Sequence, residues 1–83
     1  LSSRDDKGNA VKGETLLHDT HDCYIDSPKR LTACVGLSNL IIVDTEDALL
    51  VADKSRSQEV KNIYETLKHQ GHEAYKLHRT VLR

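Results

Sequence analysis

The 83-residue chain contains no tryptophan, phenylalanine or methionine, and its aromatic residues are Tyr24, Tyr64 and Tyr75 alone. A core must therefore be assembled from leucine, isoleucine and valine, and a chain of this size buries only about 60% of the surface its unfolded form exposes. That combination points to a small β layer docked on something larger. With no methionine, residue 1 is not an initiator, so the sequence reads as a piece cut from a longer polypeptide. No run of about 18 apolar residues occurs and no charged-then-apolar leader is present, so neither a membrane span nor a signal peptide is expected, and the expected compartment is the cytoplasm.

An excess of charge of one sign is missing as well. Twelve basic residues stand against 13 acidic ones, for a formal net charge of -1, with both signs interleaved. A nucleic-acid partner calls for a basic stripe, and the nearest candidate, Lys76 to Arg83, is short and broken by Leu77, Val81 and Leu82. Nucleic acid is therefore excluded as a partner. The two cysteines, Cys23 and Cys34, do not make the dense disulfide framework of a small secreted domain and are expected to be reduced. Gly8, Gly13, Gly36 and Gly71 are isolated from one another, so neither a phosphate-binding loop nor a dinucleotide fingerprint exists.

What the chain does have is a dense aliphatic centre. Leu40-Ile41-Ile42-Val43 and Ala48-Leu49-Leu50-Val51-Ala52 flank the polar spacer Asp44-Thr45-Glu46-Asp47. Each run is too short for a typical helix and is bounded by turn formers, so both read as buried strands. A four-residue spacer of this kind builds around a type I turn, which makes an antiparallel hairpin the simplest geometry. Side chains alternate along a strand, so Ile41 and Val43 share one face while Leu49 and Val51 share another. The scarcity of polar interruptions implies burial on both faces.

Before this centre come short apolar beats, Leu16-Leu17, Cys23-Tyr24-Ile25 and Leu31 to Val35, separated by polar corners. Val11, Leu17 and Cys23 are six apart, the spacing of a hexapeptide β-helix, but the phase is lost after Ser27-Pro28. A meander of short strands accounts for the same beats. Pro28 lacks a backbone donor and belongs to a corner or an edge.

After the centre, Ser55 with Gln58 matches a capping box, which starts a helix near Arg56. Val60, Ile63, Tyr64 and Leu67 then form one apolar stripe, and Gly71 ends the helix by taking up a left-handed conformation. Burying the stripe contributes on the order of 6–10 kcal/mol before entropy, and truncating Ile63 or Leu67 is expected to cost roughly 2–5 kcal/mol. The expected organisation is a leading segment over 1–12, a β-rich domain over 13–54, an amphipathic helix over 55–70 and a tail over 71–83 that runs toward another domain. The fold class is mainly β with one helix, a short β-helix-like coil or a β-meander capped by that C-terminal helix.

No constellation spells out a reaction. His18-Asp19-Thr20-His21-Asp22-Cys23 offers metal-ligand types, but a structural zinc site unites two ligand pairs, and on a strand His18 and His21 point to opposite faces. A nucleophilic pairing of Cys23 or Cys34 with an imidazole is set against the apolar beats that hold both cysteines, where such residues are usually inert packing. Asp44, Glu46, Asp47 and Asp53 lack the alternating oxygens, central glycine and terminal glutamate of a calcium loop. No catalytic, cofactor-binding or metal residue is assigned.

Read end to end, the chain resembles the segment that follows the catalytic domain of bacterial mannose-1-phosphate guanylyltransferases, in particular the long bifunctional type that continues into a mannose-6-phosphate isomerase. The resemblance rests on Asp6 with Gly8-Asn9, Gly13, Asp19-Thr20, Cys23-Tyr24-Ile25, Arg30-Leu31, Val35-Gly36-Leu37 and Leu40 to Val43. It continues through Thr45, Asp47 to Lys54, Ser57 to Lys61, Leu67-Lys68, Gly71 and His78-Arg79. Glu14, Asp22 and Thr32 depart from the usual Asp, Asn and Val. The resemblance implies a parent enzyme that transfers GMP from GTP to mannose 1-phosphate with Mg²⁺. It also implies a left-handed β-helix-like segment that packs on the nucleotidyltransferase domain and supports dimerisation. No catalytic residue of the family maps onto this stretch. The role implied is structural and dimerising, against the alternative of a regulatory nucleotide or nucleotide-sugar binding module; a free-standing enzyme would need a constellation that the sequence lacks.

Overall fold

A computed structural model describes residues 4–71. Strands β1 (Ala10–Lys12), β2 (Thr15–His18), β3 (Tyr24–Asp26), β4 (Thr32–Val35), β5 (Leu40–Asp44) and β6 (Leu49–Asp53) precede a 3₁₀ segment over Lys54–Glu59 and the helix α1 (Val60–His69). The order in one sheet is β1-β3-β5-β6, and β2-β4 form a second sheet. β1, β3 and β5 pair parallel, as do β2 and β4. Successive laps of the chain therefore stack as turns of a coil, and the meander reading is set aside: among the named strands of the described residues only β5 and β6 meet as a hairpin.

The stacking has a fixed period. Tyr24 pairs with Ile41, Thr15 with Thr32 and His21 with Ser38, each seventeen residues apart, so three sides of the coil repeat together. The first turn is shorter, since Ala10 pairs with Tyr24. Its missing three residues lie in one corner: residues 13–14 connect β1 to β2, whereas residues 27–31 connect β3 to β4. This insertion is where the six-residue phase breaks. Within the first turn that phase holds, because Val11, Leu17 and Cys23 all pack into one interior with Ile25, Cys34, Leu37, Leu40 and Ile42.

Corners repeat in register with the strands. Gly8, Asp22 and Asn39 occupy one corner in three successive turns, with φ of 83°, 57° and 58°. The Asp22 amide donates to the Lys7 carbonyl (3.0 Å) just as the Asn39 amide donates to the His21 carbonyl (3.0 Å). Asp19 and Gly36 share a second corner, again left-handed. Gly13 is required for a different reason: a Cβ there would lie 2.1 Å from the Ser27 carbonyl oxygen.

β5 separates two cores. Ile42 points into the coil, while Val43 joins Leu50, Val60 and Tyr64, with Tyr24, Ile41, Ala52 and Leu67 around them. α1 thus covers one face of the four-stranded sheet and the coil interior covers the other, as alternation along a strand demands. The hairpin loop is Thr45–Ala48, one residue later than the sequence suggests, because Asp44 pairs with Leu49. It closes through the Thr45 amide on the Ala48 carbonyl at 2.9 Å.

Several expectations are corrected. Burial on both faces fails for β6, where Leu49 and Val51 are more than half exposed. The capping box does not form: Asp53 Oδ1 accepts from the Ser55 amide at 2.8 Å and from its hydroxyl at 2.5 Å, which starts a 3₁₀ segment and delays the α-helix to Val60. Ile63, assigned to the buried stripe, is 51% exposed, while Val60 and Tyr64 are buried. β1 begins at Ala10, inside the stretch 1–12 read as a leading segment. Gly71 ends the helix as expected, at φ 68° with its amide on the Lys68 carbonyl. The basic stretch from Lys76 and the rest of the tail from 72 onward lie outside the described residues.

Candidate interaction surface

The polar groups that might have carried chemistry are absorbed by the coil. Asn9 is buried, its amide nitrogen donating to the Thr20 carbonyl (2.8 Å) and to Asp5 (3.1 Å), its Oδ1 accepting from the Cys23 amide (2.8 Å). It ties the first turn to the second. The backbone and side chain of Asn9 in turn hold the Asp5 carboxyl below its usual range. A lone asparagine offers no signal of burial in the sequence.

His21 sits 3.2 Å from Asp19 on the surface, whereas Cys23 is fully buried with its thiol directed to the His21 backbone carbonyl at 3.4 Å. The six-residue polar stretch is therefore split between outside and inside. Among the described residues no group of three or more His, Cys, Asp or Glu side chains could hold a metal ion. Cys34 shares the interior with Cys23, both as free thiols, and burial pushes the Cys34 thiol upward, with the neighbouring Cys23 adding to it.

The four acidic residues around the hairpin do not converge. Asp44 is buried at the strand end, accepting from Arg30 Nε (2.5 Å) and Ser27 Oγ (3.3 Å). Thr32 Oγ1 donates to the same Ser27 hydroxyl at 2.7 Å. Glu46 pairs with Lys29 across the surface, Asp53 caps the 3₁₀ segment, and the Asp47 amide donates to Thr45 Oγ1 at 3.3 Å. Each serves a turn or a strand end.

What remains is apolar and exposed. Leu16, Leu31, Val35, Leu49 and Val51 are each more than half accessible. Leu16 lies opposite Ala33 on the outward side of β2–β4, the side opposite Leu17 and Cys34, which pack inward. Leu31, Ala33, Leu49 and Val51 line a groove of about 510 Å³ that reaches Leu37, Leu40 and Ile42 at the end of the coil. Among the described residues β4 has a strand on one side only. The regular period would place residues 49–52 on its other side, but those residues turn back onto β5. Sequence reading missed this surface because the beats of β4 and β6 look the same whether or not their outer side is covered.

A stack of parallel turns with corner-held polar groups and an exposed apolar surface is a small β-coil domain. The family model for the mannose-phosphate isomerase/GMP-like β-helix domain matches residues 13–67. The chain belongs to that family. It is 42% identical over 83 residues to a mannose-1-phosphate guanylyltransferase of Klebsiella pneumoniae, covering all of this chain and 18% of the relative. It is 46% identical over 79 residues to a putative mannose-1-phosphate guanylyltransferase of Vibrio cholerae, covering 95% of this chain and 17% of that one. It is 36% identical over 83 residues to the alginate biosynthesis protein AlgA of Pseudomonas aeruginosa, covering 17% of that protein. Among solved structures, a crystal structure described as mannose-1-phosphate geranyltransferase from Thermus thermophilus superposes with a TM-score of 0.70 at 28% identity, over 80% of this chain and 20% of that one. The chain thus spans less than a fifth of the length of the curated relatives it matches.

Proposed function

We infer that the chain is the non-catalytic structural and dimerising part of a mannose-1-phosphate guanylyltransferase. The whole enzyme joins GTP and mannose 1-phosphate into GDP-mannose and pyrophosphate with Mg²⁺, in the cytoplasm, for polysaccharide synthesis. In this reading the coil is left-handed, docks on the nucleotidyltransferase domain and self-associates. The observation that carries it is the exposed apolar surface of the coil and its hairpin, where Leu16, Leu31, Val35, Leu49 and Val51 are each more than half accessible; surfaces of that kind mark interaction sites. The relatives named for the guanylyltransferase reaction support the choice of parent.

The test uses the 83-residue chain with GTP, mannose 1-phosphate and Mg²⁺, alone and with the separately produced nucleotidyltransferase domain. The expected result is no pyrophosphate release by the chain alone, and association with itself or with that domain in sedimentation. A strict monomer with no affinity for the domain overturns the interaction role. Saturable heat on titration with GTP or GDP-mannose transfers the assignment to a regulatory binding module.

A further inference from the structure

β6 closes its sheet with an open side. The Thr45 amide donates to the Ala48 carbonyl at 2.9 Å and the Lys54 amide to the Asn39 carbonyl at 2.8 Å. Bonded pairs alternate along an antiparallel ladder, so the bonded pairs between these two are Val43 with Leu50 and Ile41 with Ala52. The backbone groups of Leu49, Val51 and Asp53 therefore point away from β5, and among the described residues no strand lies on that side. Beside the edge runs a groove of about 450 Å³ lined by Val51, Ala52, Val60 and Ile63. Val51 and Ile63 are both more than half exposed.

The path of the chain supplies an occupant. Parallel neighbours in a sheet are joined by a crossover of a dozen or more residues, usually a helix, and the stretch 54–71 after β6 meets both conditions. Leu67, late in α1, packs on the same cluster as Ala48 just before β6, so α1 brings the chain back to the end where β6 begins. Residues 72–83 follow, and a stretch of that length reaches up to about 40 Å, more than twice the roughly 17 Å of a five-residue strand. Tyr75, Leu77 and Val81 stand at alternate positions, the pattern of one strand face. Charge agrees: Lys76, Arg79 and Arg83 outnumber Glu73 in that stretch, whereas in the groove wall Asp53 and Glu59 outnumber Arg56.

We propose that residues 72–83 of the same chain add to the free edge of β6 as a parallel strand, with Tyr75, Leu77 and Val81 covering Val51 and Ile63. An open strand edge is a template for such pairing, and a segment tethered next to it arrives at a high effective concentration. The inference goes beyond the dimerising role given above and does not depend on it.

The experiment follows amide hydrogen exchange by NMR in the 83-residue chain, at a low and a high protein concentration, beside the double variant Tyr75→Lys with Leu77→Lys. The Val51 amide is expected to exchange at least about tenfold more slowly than an unpaired amide, equally at both concentrations. The variant is expected to abolish that protection while the Leu50 amide, bonded to β5, stays protected and reports an intact fold. Fast exchange of Val51 in the parent chain overturns the proposal. Protection that survives the variant, or that grows with concentration, gives the edge to another cover and overturns it too. A nuclear Overhauser contact between Val51 and residues 75–81 decides the same point in the parent chain without any substitution: its presence supports the added strand and its absence sinks it.

Discussion

Asp22 and Asn39 stand at the same corner of successive turns, seventeen residues apart, with φ of 57° and 58°. A left-handed backbone costs an ordinary L-residue about 1–2 kcal/mol, and Asn and Asp tolerate it because their short polar side chains bond locally. Replacing Asp22 by valine is expected to destabilise the fold by about that amount, whereas Asp22→Asn, which copies the next turn, leaves stability unchanged or slightly higher. Chemical denaturation of the two variants beside the parent chain measures both.

Burial separates two isoleucines of equal hydrophobicity. Ile25 is fully enclosed in the coil and Ile63 is 51% exposed on α1. Ile25→Ala is expected to cost about 2–5 kcal/mol, and Ile63→Ala about 1 kcal/mol in the isolated chain, since only part of its surface is removed from water on folding. The midpoints of urea transitions decide the order. Equal losses would mean that Ile63 is covered in solution.

Alkaline pH tests the cover over the second core. Burial pushes the Tyr64 hydroxyl up to about 12, above the ordinary tyrosine value near 10. The unfolded chain ionises first, so this group supports the folded state fully below pH 10, and that support is lost as pH rises from about 10 to 12. Absorbance of tyrosinate during titration should show Tyr64 ionising only near 12 or together with unfolding. Its titration near 10 in a folded chain would place it in contact with water.

Thiol chemistry reports on the coil interior. Cys23 and Cys34 are free and buried, and desolvation lifts the Cys34 thiol, so little reactive thiolate forms near neutrality. A colorimetric thiol reagent is expected to react slowly with the native chain and rapidly with both cysteines in denaturant. Fast reaction of either one under native conditions contradicts the packing described.

The hairpin and the helix are legible in the sequence because each is a local event: two aliphatic runs with a spacer, and a stripe at helical spacing ended by Gly71. The coil is less so. Val11, Leu17 and Cys23 carry its first turn openly, but five corner residues at 27–31 replace the two at 13–14, and a fixed six-residue count cannot survive that. The start of the helix is hidden by a competition among neighbours: Ser55 has the right offset from Gln58, yet the carboxylate of Asp53 takes its amide and hydroxyl first. The exposed end is hidden most thoroughly, since Leu31, Val35, Leu49 and Val51 are aliphatic like the core, and only tertiary structure tells which of them lacks a cover.

The unequal corners show where the polypeptide keeps spare length. Three residues separate one lap of the coil from the next, and all are accommodated at 27–31, where Pro28 and Lys29 are exposed. A peptide spliced between those two residues would ride outside the wall, whereas one residue added within Tyr24–Asp26 would turn Ile25 outward and its neighbours in. The molecule therefore has a natural grafting point, set where two adjoining laps already differ in length without breaking the winding.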